Sequence, residues 1–69
     1  MVEVFKTNVG EQGQASVLVN LLLEQFPGAR INFDLQDCDR ILRVEGKCLE
    51  AQEVIRLVEE EGFFCKALE

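Results

Sequence analysis

Three cysteines and a surplus of carboxylates are the groups in this 69-residue chain whose types could do chemistry. Cys38 stands between Asp37 and Asp39. With a further donor such as Glu11, that trio offers a mixed sulfur and oxygen ligand set suited to Zn(II) or a harder divalent ion. The same residues have a simpler use, because aspartates in a polar turn accept hydrogen bonds from neighbouring backbone N–H groups. The simpler use is the expectation here. Cys48 precedes a helical pattern, where helix-end N–H groups and the adjacent Lys47 favour a thiolate. The chain contains no histidine to pair with it, and no cysteine close in sequence to resolve an oxidised thiol, so Cys48 is read as structural. Cys65 alternates with Phe63 and Ala67 and is read as a small apolar core residue.

Acid–base and acyl-transfer chemistry lack their usual groups. There is no His, Tyr or Trp, and Ser16 and Thr7 are the single serine and threonine. No enzyme is therefore expected, and no cofactor. Glu59, Glu60 and Glu61 are consecutive at a helix end and so point in several directions. Gly10 and Gly13 lack the spacing and the lysine of a phosphate-binding loop.

These side chains sit on one domain spanning residues 1–69, too short for a second core. The net charge of −6 repels phosphate backbones and anionic lipid, so neither nucleic acid nor a membrane surface is expected as a partner, and a basic partner is favoured. The longest apolar run, Val17 to Leu23, is broken by Asn20 and falls short of the roughly 20 residues of a membrane span. Met1 leads straight into strand formers with no basic region or cleavage site, so no signal peptide is expected. Three scattered thiols match no zinc spacing and cannot all pair, which fits a reducing, cytoplasmic location.

The elements follow from periodicity. Val2 to Thr7 alternates as a strand, with Val2 and Val4 on one face and Glu3, Phe5 and Thr7 on the other. Ala15, Leu18, Val19, Leu22 and Phe26 recur at helical spacing from about Gly13 until Pro27-Gly28 stops the helix. Ile31 to Leu35 and Ile41 to Val44 flank the turn Gln36-Asp37-Cys38-Asp39 as a hairpin. Ala51, Val54, Ile55 and Val58 form a second helix that closes near Gly62, and Phe63 to Leu68 forms the last strand. The order strand, helix, strand, strand, helix, strand predicts an α+β, ferredoxin-like βαββαβ sandwich, with two helices on one face of a four-stranded antiparallel sheet.

Over nearly its whole length the chain resembles the heavy-metal-associated, copper-chaperone-like domain family. The resemblance rests on Val9, on Ala15, Leu18 and Leu22, on Pro27-Gly28, Asp34-Leu35 and Val44-Glu45-Gly46, and on Ile55 through Gly62-Phe63. It implies a metal loop of the form Met-x-Cys-x-x-Cys, where this chain has Val9-Gly10-Glu11-Gln12-Gly13-Gln14. Glu11 and Gln14 occupy the ligand positions, and a carboxylate with an amide does not replace thiolates for Cu(I). Metal binding at this loop is not expected.

The remaining candidate is the sheet face opposite the helices, to which alternation assigns Phe5, Ile41, Phe64 and Leu68, with Glu3, Lys6, Arg43 and Lys66 nearby. Such a patch marks an association surface when charges at its rim fix the register. The expected function is a non-catalytic interaction module acting through a protein partner or a homodimer on this face. The alternative is a copper- or zinc-handling protein with relocated ligands. A thiol-reactive protein using Cys48 is a third possibility.

Overall fold

Alternating strand formers and two apolar helical stripes give six elements in the computed structural model, which describes residues 1–68. These are β1 (Val2–Thr7), α1 (Gln12–Gln25), β2 (Arg30–Asp34), β3 (Ile41–Glu45), α2 (Ala51–Glu60) and β4 (Cys65–Leu68). The sheet order is β2-β3-β1-β4, and every neighbouring pair is antiparallel. Phe5 pairs with Leu42 on one side and Ala67 on the other, while Leu42 also faces Phe33, so one row of apolar side chains crosses all four strands. Ala15, Leu18 and Leu22 of α1 and Val54 and Val58 of α2 close over that row and form a single core with it. This is the ferredoxin-like sandwich that the element order predicts.

Both helices stop for identifiable reasons. α1 ends where the Phe26 N–H donates to the Leu22 carbonyl at 2.8 Å, Pro27 cannot continue the ladder, and Gly28 turns left-handed at φ 86°. α2 ends in a Schellman motif. The Gly62 N–H donates to Glu59 at 2.9 Å, the Phe63 N–H donates to Val58 at 3.3 Å, and Gly62 sits at φ 92°. That motif also explains why β4 begins at Cys65 rather than at Phe63. Phe63 is still tied to the helix end, and the Phe64 N–H donates to Asn8 Oδ1 at 2.8 Å instead of entering the ladder.

Among the described residues one non-glycine is left-handed, Arg40 at φ 46°. Its geometry is held from three sides. Its N–H donates to the Asp37 carbonyl at 3.0 Å, its Nη1 donates to the Leu35 carbonyl at 2.7 Å, and its own carbonyl accepts the Thr7 hydroxyl at 2.6 Å. The β2–β3 turn is thereby fastened to the end of β1, a link strengthened by the Thr7 N–H donating to the Asp39 carbonyl at 3.1 Å.

Candidate functional site

Register fixes which side chains share the uncovered face of the sheet. Because successive residues alternate sides, Val2, Val4 and Lys6 of β1 lie on the same face as Arg30, Asn32 and Asp34 of β2. Ile41, Arg43 and Glu45 of β3 and Lys66 and Leu68 of β4 complete it. Reading across the strands, Asn32, Arg43, Val4 and Leu68 form one row. Asp34 faces Ile41, and Lys6 faces Lys66. No described helix covers this side, since the buried residues of both helices join the core on the other. On this face Val2 and Leu68 remain 45% and 39% exposed, and Phe64, just before β4, is 46% exposed, large values for apolar side chains.

Phe5 does not belong to this patch. It is fully buried and lies on the helix side with Leu42 and Ala67. Glu3 shares that side, opposite Val44. The alternation of β1 is as the sequence reads, but its polarity is reversed: the helix layer takes the bulkiest side chain of the strand, which leaves the smaller Val2 and Val4 outside. Ile41 and Leu68 do fall on the open side, and Val4 and Arg30 join them, while Phe64 is exposed but precedes the β4 ladder, so no strand pairing sets its side. The clue to Val4 was present in the sequence, because it alternates with Phe5.

The other candidate groups are distributed around one end of the sheet. Glu11 is the N-cap residue of α1 and makes no side-chain capping bond; it and Gln14 are exposed, whereas Val9 is buried beneath them. The donor atoms of Asp37, Cys38 and Asp39 lie within 4.8 Å of one another, and Glu11 is not in that group. Two of the three are already engaged. Asp37 Oδ1 accepts the Asp39 N–H at 2.9 Å, and Asp39 Oδ1 lies 3.5 Å from Lys6 Nζ. The turn lies against the end of β1, because β3 is a central strand bonded to β1 and the Thr7 N–H donates to the Asp39 carbonyl.

The chain matches no known family model, curated protein or solved structure.

The thiols divide by exposure. Cys38 and Cys48 are exposed and Cys65 is buried. Burial pushes the Cys65 thiol up to about 12, with the Glu59 carboxylate as the lesser cause, so it stays protonated and inert at neutral pH. Cys48 lines an open cleft of about 460 Å³ with Phe26, Pro27, Ala29 and Leu49, at the end of the sheet opposite the Asp37–Asp39 turn. That cleft brings no second titratable group against the thiol except Lys47. On α2, Arg56 bonds Glu53 at 2.7 Å and Glu60 at 2.8 Å, which holds the Glu53 carboxyl below its ordinary range; these are solvated helix pairs and form no site.

Proposed function

We propose that this domain is a non-catalytic binding module that docks a protein on the uncovered face of its sheet. The observation that carries this reading is the combination of exposed Val2 and Leu68 with Val4 and Ile41 on one face, interleaved with Lys6, Arg30, Arg43 and Lys66. A sheet face that met only water would alternate core residues with polar ones. This one keeps apolar side chains on its wet side. The reading places the module in the cytoplasm, where three free thiols remain reduced. No described helix is long and apolar enough to cross a membrane.

The test compares the two sides of the sandwich. A photo-crosslinker placed at Val4 or Leu68 in the producing cell should yield discrete protein adducts, and the same probe at Gln14 or Gln52 on the helix side should not. Adducts from the helix side alone would overturn the assignment.

A second reading, metal handling by relocated ligands, is favoured by the proximity of the Asp37, Cys38 and Asp39 donors. Native mass spectrometry during an anaerobic titration with Zn(II) and Cu(I) decides it. Stoichiometric, tight uptake that is lost in Cys38→Ser would establish that reading.

A further inference from the structure

The uncovered face carries a charge opposite to that of the molecule. Four of the seven cations, Lys6, Arg30, Arg43 and Lys66, share it with two carboxylates, Asp34 and Glu45, which leaves the face at +2. Asp39, 3.5 Å from Lys6, stands at the edge of the face and brings the local sum to +1, whereas the chain as a whole is −6. The net charge therefore misleads about the partner, because a docked molecule meets the local field and not the total. Among the described residues only Lys6 of these four cations has a carboxylate within 4 Å, namely Asp39.

The arrangement of the cations is specific. Lys6 and Lys66 are direct cross-strand partners, a like-charge pairing that destabilises a sheet unless an anion lies between the two. Arg43 pairs with Val4, one step diagonally from Lys6, and Arg30 pairs with Glu45, one step diagonally from Arg43. Diagonal neighbours are about 7–8 Å apart and direct ones about 5 Å. The four cations thus trace a line of roughly 20 Å across the sheet from β2 to β4. Val2, Val4 and Leu68 lie on one side of that line, and Ile41 on the other.

Resting on the docking function proposed above, we infer that the occupant of this face is an acidic amphipathic helix of another protein, its carboxylates on the cationic diagonal and its apolar stripe on the flanking side chains. A helix satisfies its own backbone while lying on a sheet, whereas an extended segment laid across the face leaves its N–H and C=O groups without partners. A second copy placed face to face sets one cationic face against another. Nucleic acid is disfavoured by the central strands, which present Val4, Lys6, Ile41 and Arg43 where base stacking requires aromatic rings.

The test is an NMR titration of the isotope-labelled full chain with a synthetic helical peptide carrying a leucine stripe flanked by glutamates. Its controls are the same peptide with glutamine for glutamate and a single-stranded oligothymidine. The glutamate peptide should shift amides of β1, β3 and β4. Its affinity should fall at least tenfold with glutamine, in Arg43→Glu, in Lys66→Glu, or on raising the salt from low to molar. Equal affinity for the two peptides overturns the acidic-partner inference and leaves the docking face standing. Shifts confined to α1 and α2 overturn both. Tighter binding of the oligothymidine to the same strands assigns the face to nucleic acid, and low-salt self-assembly abolished by Lys66→Glu assigns it to a second copy; either result overturns the inference.

Discussion

Thr7 is the only threonine, and its hydroxyl serves two backbone groups at once, donating to the Arg40 carbonyl at 2.6 Å and accepting the Val9 N–H at 3.2 Å. It is also 4% exposed, so water does not readily replace either bond. Thr7→Val keeps the shape and orphans both partners, which should cost about 2 kcal/mol in urea unfolding. A change within experimental error would show that the turn is held by its other bonds. Cys65 gives a residue-scale prediction in pH. Its thiol ionises near 9 in the unfolded chain and near about 12 when folded, so the folded state holds the extra proton between those values. The thiol's contribution to stability is complete below about pH 9 and is lost as pH rises towards 12, by up to about 1.4 kcal/mol per pH unit. Cys65→Ala should lack that slope when the two proteins are compared across pH 8 to 10. In the native protein, iodoacetamide should label Cys38 and Cys48 far ahead of Cys65.

At the scale of elements, the Gly62 position makes the clearest demand on sequence. Gly62→Ala forces a Cβ into the left-handed turn that closes α2, and should lower stability by about 1 kcal/mol with no change in the open face. The two faces of the sheet should also respond differently to truncation. Phe5→Ala removes a fully buried ring and should cost about 3–5 kcal/mol. Leu68→Ala, on the open side, should cost under about 1 kcal/mol. Near-equal losses would contradict the face assignment. Most of this scaffold was legible in the sequence, because period and punctuation are local: the helical stripe from Ala15 to Leu22, the Pro27-Gly28 stop and the alternation in β1 all appear in place. What was not legible was polarity. Alternation says that Val4 and Phe5 point to opposite sides, but which side the helices cover is decided by packing between distant segments. The proximity of Asp39 to Lys6 and of Asn8 to Phe64 depends on the same long-range closure.

At the scale of the whole molecule, the accessible surface is 4503 Å², so a standard interface of about 800 Å² per partner would take roughly a fifth of it. That share corresponds to a whole face of the sandwich. A partner held by one corner would not reach both the apolar residues and the cationic diagonal. The separation of charge, a cationic sheet face on a chain of net −6, would also orient the domain as an acidic partner approaches, so association should slow as salt rises. The three lysines give the most direct test of the docking face, because Lys6 and Lys66 lie on it and Lys47 lies at the β3–α2 connection. Amine labelling should be compared between the producing cell and the purified protein. Several-fold protection of Lys6 and Lys66 in the cell with Lys47 unchanged is the expected result, and equal labelling of all three in both settings would contradict docking on this face.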